Sequence, residues 1–294
     1  MRIETQAGPR NVAVLIPTRQ RAEVVAKQLK KMPFLNHADV FYGLDKREAP
    51  DYTATLAKAG LGTVHCTFVL YRNATNSVGF CRDQLRLAGL RRRPKFDIFV
   101  VTDDNAVFKE ESLTNLVRCS AEYPEQPNLT SGSGELMRYY AKGKGGDLRD
   151  LRVINGLSSF ERVTHIFTAV PREIYRNFAY PHESLAAEDR YRTMWALSHG
   201  IYAIRECLDA PYSKPRQQPG GTGGSEERMR ATGLGFAKLA QDFPVFVGCT
   251  GSTPARWSLI MQIAKGYTFA GRLPGGSHRV SEDELISQMV KKES

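Results

Sequence analysis

Phe96-Asp97-Ile98-Phe99-Val100-Val101-Thr102-Asp103-Asp104-Asn105 is the stretch on which the fold turns. Phe96 to Val101 reads as a strand that runs straight into two adjacent carboxylates. In open α/β sheets, ligands bind beyond the carboxyl ends of the strands, which is where this pair falls. Hard carboxylate oxygens at such a place suit Mg²⁺ or Mn²⁺, which in turn grips a diphosphate. A solvated Asp-Asp-Asn turn capping the next helix uses the same residue types. The segment by itself leaves both readings open.

Upstream, Asn11-Val12-Ala13-Val14-Leu15-Ile16 is a short continuous apolar run, as expected of a strand covered on both faces. From Arg21 to Met32, apolar residues at Ala22, Val25, Leu29 and Met32 mark a helix face. Asp39 to Leu44 and Val64 to Tyr71 read as two more strands, and Val78 to Leu90 as a helix. Strands alternating with helices over residues 1–120 predict a doubly wound α/β unit with a mostly parallel central sheet. Downstream, Asn128 to Ser133, Arg162 to Val170 and Ile201 to Cys207 read as strands. Ser184 to His199 reads as a helix ending at Gly200. Arg138 to Arg152 and Lys214 to Ser225 have the composition of loops. No repeat or linker divides the chain, so 1–294 is expected to be one domain. Its parts are a nucleotide-binding half (1–120), an acceptor-binding half (121–280) and a charged helix or tail (281–294).

Composition narrows the class. Of the 294 residues, 41% are hydrophobic and 24% charged, enough apolar material for a buried core. No apolar run approaches the roughly 20 residues of a membrane span, and the N-terminus lacks a secretory pattern. A cytoplasmic protein is expected. Cys66, Cys81, Cys119, Cys207 and Cys249 lie far apart with no C-x-x-C pair, which argues against zinc and disulfide frameworks. The net charge of +10 and pI near 9.4 fit a polyanionic partner or a basic enzyme whose only anionic ligand is a nucleotide. Nothing in the sequence specifies an oligomeric state.

Glu188-Asp189, early in the Ser184–His199 helix, is the second acidic pair. A helix N-terminus favours carboxylates in any case, and the same field keeps one ionised, able to take a proton from an attacking hydroxyl. Four segments now stand in order: Val14 to Glu23 (Val-Leu-Ile-Pro-Thr-Arg-Gln-Arg-Ala-Glu), Asn76 to Asp83 (Asn-Ser-Val-Gly-Phe-Cys-Arg-Asp), Val100 to Asn105, and His182 to Gly200. In this order they resemble the GT-A fold glycosyltransferases of the inverting, family-2-like type. The resemblance implies a nucleotide-sugar donor, a UDP-sugar, and Mn²⁺ or Mg²⁺ as cofactor. It implies that Pro17, Thr18 and Arg21 flank the nucleotide base and ribose, that Asp45 meets the base and that Arg82 lies near the nucleotide. Asp103 and Asp104 would meet ribose and metal, with Asp104 the preferred metal ligand. Asp189 would be the general base, with Glu188 beside it on the acceptor side. His278 is a candidate to complete the metal shell, against plain exposure in a glycine-rich segment. Gly220-Gly221-Thr222-Gly223-Gly224 reads as a phosphate-cradling lid or a surface loop.

The basic cluster Arg91-Arg92-Arg93-Pro94-Lys95 precedes the Phe96 strand, at the opposite edge of the sheet from Asp103, and reads as peripheral. Arg138, Lys142, Lys144 and Arg216 are better placed to flank an acceptor. A small, strongly basic enzyme of this type is similar to the DNA-modifying glycosyltransferases associated with TET/JBP-type oxygenases in bacteriophages and kinetoplastids. That similarity implies a hydroxymethylated pyrimidine in DNA as acceptor, and the host cytoplasm if the protein is phage-encoded. Saccharide, lipid or protein acceptors, a nucleotidyltransferase, and a non-catalytic nucleic-acid-binding protein with a degenerate transferase fold remain open alternatives.

Overall fold

Every residue of Val12 to Ile16 is buried, as an apolar run without alternation requires of a central strand. The computed structural model describes residues 1–62, 66–72, 77–122, 128–133, 153–154, 157–158, 166–182, 203–213, 269–273 and 276–280, with positions 188, 191, 192, 195, 196, 199 and 242. A short β1 (Arg2–Ile3) pairs antiparallel with β2 (Arg10–Pro17). The central sheet continues with β3 (Asp39–Asp45), β4 (Cys66–Tyr71), β5 (Ile98–Thr102), β6 (Val107–Phe108) and β7 (Asn128–Ser133). Two short strands, β8 (Val153–Ile154) and β9 (Leu157–Ser158), form a hairpin of their own. β10 (Phe167–Pro171) and β11 (Ala203–Ser213) complete the central sheet. β12 (Phe269–Leu273) and β13 (Gly276–Val280) form a separate hairpin.

The order across the central sheet is β4-β3-β2-β5-β10-β7-β11-β6. β4, β3, β2 and β5 are parallel; β10 runs antiparallel between β5 and β7, and β11 is parallel to β7. The parallel part of the sheet therefore starts at β2, builds outward to β4, and returns to lay β5 on the other side of β2. Such a reversal opens a crevice beyond the carboxyl ends of the two strands that flank it. β2 and β5 are those strands, so the topology places a ligand site beyond Pro17 and Thr102.

Helices cover both faces. α1 (Ala22–Lys31), α2 (Ala49–Lys58) and α4 (Glu110–Ala121) bury Val25, Leu29, Tyr52, Leu56, Leu113 and Leu116 against one face. α3 (Val78–Arg91) buries Cys81 and Leu85 on the other, where the short α5 (Arg172–Asn177) and Ala196 also pack. Ser77 starts α3 by accepting a hydrogen bond from the Phe80 N–H at 3.1 Å. Close approach of α3 requires glycine at two contacts. A Cβ on Gly43 would stand 2.8 Å from Leu85 Cγ, and one on Gly89 2.7 Å from Phe99 Cε1.

The doubly wound α/β architecture with a mostly parallel sheet is as expected. α2 and α4 go beyond the sequence reading; α2 buries only Tyr52 and Leu56, too sparse a stripe to stand out. β11 also runs past Cys207, because its register shifts between Cys207 and Pro211 and its end pairs with β6. Among the described residues, no helix is long and apolar enough to cross a membrane.

Candidate active site

β2 ends at Pro17, and the Thr18 N–H donates to the Gly43 carbonyl at 2.9 Å, fixing the turn that follows. From that turn Thr18 donates its hydroxyl hydrogen to Asp104 Oδ2 at 2.8 Å. Arg21 donates from Nη1 to Asp104 Oδ1 at 2.9 Å, forming an ion pair with it. Tyr52 of α2 props the turn. The Arg21 backbone N–H donates to its hydroxyl oxygen at 3.0 Å, and that oxygen lies 2.8 Å from Thr18 Oγ1. Thr18's single hydrogen is committed to Asp104, so Tyr52 donates to Thr18. The chain of donation runs from backbone N–H to phenol to hydroxyl to carboxylate. Burial pushes the Tyr52 hydroxyl up to about 12, so it remains a donor at any physiological pH.

Asp103 and Asp104 differ sharply. The Asp104 side chain is 4% exposed and both its oxygens are engaged; that of Asp103 is 22% exposed. Burial raises the Asp104 carboxyl above its usual range, with the Arg21 charge and the Thr18 and Arg21 hydrogen bonds pulling it back. Gln28 holds the turn from beneath, donating to the carbonyls of Asp103 at 3.0 Å and Ala106 at 2.9 Å. Asn105 is buried, and its side-chain oxygen has no hydrogen-bond partner among the described residues.

Arg82 of α3 joins the two acidic motifs. Its Nη2 donates to Asp103 Oδ1 at 3.1 Å and its Nε to Glu188 Oε1 at 2.9 Å, with the guanidinium 4% exposed. Glu188, Tyr191, Arg192, Trp195 and Ala196 are helical, in agreement with the predicted helix. Next along α3, the buried Asp83 accepts from Arg86 Nε at 2.7 Å and sits 3.1 Å from His182 Nε2, tying the segment ahead of Glu188 to the same helix. Asp45, at the end of β3, is gripped at both oxygens by Arg47, Nε at 2.8 Å and Nη2 at 2.7 Å.

Thus Pro17, Thr18, Arg21, Asp45, Arg82, Asp103 and Asp104 all lie at or just beyond the carboxyl ends of the strands or the start of α3, with Glu188 drawn in by Arg82. His278 is in β13, in register with Gly271, in a sheet separate from the central one. Asp189, Arg138, Lys142, Lys144, Arg216 and Gly220–Gly224 lie outside the described residues. Sequence reasoning missed Gln28, Arg47, Tyr52 and the Asp83–His182 pair. Only Gln28 left a signal, a polar residue beside Leu29 on the buried face of α1.

The crevice has the makings of a hard-cation site. Mg²⁺ or Mn²⁺ keeps several waters and needs one or two carboxylates besides substrate phosphates. The partly open Asp103 and the orphaned Asn105 oxygen fit that demand. Among the described residues, no group of three or more His, Cys, Asp or Glu could hold a metal by itself.

No protein-family profile and no curated protein matches the sequence. Solved structures do match. One is the mannosyltransferase PcManGT from Pyrobaculum calidifontis, in complex with GDP-Man and Mn²⁺, with TM-score 0.57 and 16% identity over 96% of this chain and 80% of that one. The chain has the GT-A fold. Glucosyl-3-phosphoglycerate synthase from Mycobacterium tuberculosis, with Mn²⁺, UDP and phosphoglyceric acid, matches with TM-score 0.51 and 12% identity over 79% and 78% of the two chains. S. aureus TarS matches with TM-score 0.50 and 13% identity over 87% of this chain and 43% of its own.

Proposed function

We propose that this protein is a metal-dependent, inverting glycosyltransferase that moves a sugar from a UDP-sugar to an acceptor hydroxyl, with a hydroxymethylated pyrimidine in DNA as the acceptor to test first. The observation that carries the reading is the double grip of Arg82. It links Asp103, at the donor crevice between β2 and β5, to Glu188, the neighbour of Asp189. A sugar transferase needs a diphosphate site and a base within one sugar of each other, and this guanidinium spans the two acidic motifs. The solved structures with the same fold that hold Mn²⁺ or Mg²⁺ together with a nucleotide support the donor class.

In this reading Asp103 and Asn105 would hold the metal alongside the donor phosphates, and Asp104 would contribute once Arg21 turns to the diphosphate. When bound, the metal neutralises charge building on the departing nucleoside diphosphate. Asp45 would face the base and Thr18 the ribose. Asp189 would accept the acceptor's proton as its oxygen attacks the anomeric carbon from the face opposite the leaving group. Arg82 keeps Glu188, and with it the start of the base helix, aligned on Asp103. Arg138, Lys142, Lys144 and Arg216 would flank the acceptor. A DNA acceptor draws support from the charge of +10, since phosphate contacts position a duplex while a flipped base is presented to the chemistry.

The test is release of nucleoside diphosphate from a panel of nucleotide sugars with Mn²⁺, with and without hydroxymethylated DNA. DNA-stimulated release from one UDP-sugar is expected. Release indifferent to DNA would remove the DNA acceptor and leave the transferase; no release from any donor, by protein of confirmed fold, would overturn the reading.

A further inference from the structure

The opposite end of the sheet carries charge of another kind. Arg91, the last residue of α3, is followed by Arg92, Arg93, Pro94 and Lys95 on the way to β5, and all five residues are exposed. None of the four cationic side chains forms an ion pair among the described residues. The nearest acid along the chain, Asp97, spends Oδ2 on the Asn11 N–H at 2.8 Å. Preference for cations at a helix C-terminus accounts for Arg91 alone, because the dipole's influence fades within the last turn.

The loop's backbone is nonetheless held firmly. Arg172 donates from Nη2 to the Leu90 carbonyl at 3.0 Å and from Nη1 to the Phe96 carbonyl at 3.2 Å, clamping both ends. Asn11 Nδ2 donates to the Lys95 carbonyl at 3.4 Å, and the Arg92 N–H donates to the Gly89 carbonyl at 3.3 Å. One buttressing guanidinium is thus consumed in fixing the loop, while four cations are left facing water. Helices here run antiparallel to the strands, so α1 and α2 bring Lys30, Lys31 and Lys58 to the same end of the sheet.

We infer that the Arg91–Lys95 loop is a docking surface for the phosphate backbone of double-stranded nucleic acid, separate from the transferase crevice. Charge complementarity with four cations on a fixed backbone selects a polyanion, and three arginines favour phosphate, which a guanidinium grips in bidentate fashion. An anionic membrane is the weaker match, since surface binding to lipid draws on inserted apolar side chains as well as charge. Pro94 is the loop's only uncharged residue. Among the described residues the large apolar side chain left exposed is Leu70, near the carboxyl end of β4. The five residues of β5, about 16 Å of strand, lie between the loop and Asp103. Binding there needs no donor and no modified base, and does not depend on what the crevice transfers.

Fluorescence anisotropy with an unmodified 24-base-pair duplex tests this directly, in parallel with vesicles of phosphatidylglycerol and phosphatidylcholine. The full-length protein should bind the duplex with log Kd rising against log salt at a slope of which about 4, close to 0.9 per neutralised phosphate, comes from this loop. Arg91→Gln/Arg92→Gln/Arg93→Gln should weaken binding at least tenfold at low salt and flatten the slope by about three. Its melting curve and its donor turnover should be unchanged. Duplex binding whose affinity and salt slope the triple substitution leaves unchanged overturns the proposal, as does binding to neither probe. Binding to vesicles but not to duplex, lost in the same variant, would assign the loop to a membrane instead.

Discussion

The two ends of the central sheet handle positive charge in opposite ways. At the carboxyl end Arg21 is matched with Asp104, Arg47 with Asp45 and Arg82 with Asp103 and Glu188, and farther along α3 Arg86 is matched with Asp83. At the amino end Arg91, Arg92, Arg93 and Lys95 stand exposed without an acid among the described residues. Matched, mostly buried pairs cost desolvation and fix geometry, which suits chemistry needing atoms held in place. Unmatched surface charges fix nothing locally and act at longer range, which suits capture of a large anion.

The largest effect should come from breaking the central match. Arg82→Met removes the guanidinium that Asp103 and Glu188 share. Removing one partner of a buried ion pair typically costs about 3–5 kcal/mol, and urea denaturation should show a loss of that size together with loss of turnover. Arg82→Lys should recover part of the stability but little turnover, because an ammonium cannot reach both carboxylates in a fork. Wild-type stability in Arg82→Met would mean the linkage between the two acidic motifs is incidental. On the acceptor side, Asp189→Asn should cut turnover by about 10²–10⁴ while calorimetry still shows donor binding. Normal turnover in that variant would remove Asp189 as the base.

Much of this site can be read in the chain, and the unread part has a physical reason. β2 and β5 announce themselves because strands buried on both faces have no polar alternation. Asp103 and Asp104 stand out because carboxylates directly after such a strand must either be solvated or used. The division of labour between them is not readable, since it depends on Arg21, 83 residues from Asp104. Tyr52 was invisible for a related reason. It is one aromatic on a weakly amphipathic helix, and only the packing of α2 beside α1 brings its hydroxyl under Thr18 and Arg21. Arg82 was visible as part of a motif, but its reach to Glu188 spans 106 residues and belongs to the tertiary fold.

Tyr52 offers a smaller perturbation of the matched end. Tyr52→Phe removes the acceptor of the Arg21 N–H and the donor to Thr18, leaving the ring in place. About 1–2 kcal/mol of stability should be lost, with weaker donor binding, because the β2–α1 turn loses its prop. Unchanged donor affinity would show that the turn is fixed by the Thr18 N–H to Gly43 bond alone.

The smallest stability effect, and the sharpest discriminator, belongs to Asp104. Its folded carboxyl is raised above the unfolded value, chiefly by burial, so folding penalises the charged form. The stabilising contribution is fully present below the unfolded value, about 4, and is lost as pH rises through the folded one. Asp104→Asn carries no such titration. Wild type should therefore lose ground to the variant as pH rises through that window, and at neutral pH the two should melt within about 1 kcal/mol of each other. In calorimetry, by contrast, the variant should lose the gain in donor affinity that Mn²⁺ gives the wild type. A variant that is much less stable at neutral pH, yet keeps the Mn²⁺-dependent gain, would make Asp104 a structural partner of Arg21 and leave metal binding to Asp103 and Asn105. The matched end of the sheet would then divide into a scaffold pair and a chemical pair, with Thr18 belonging to the scaffold.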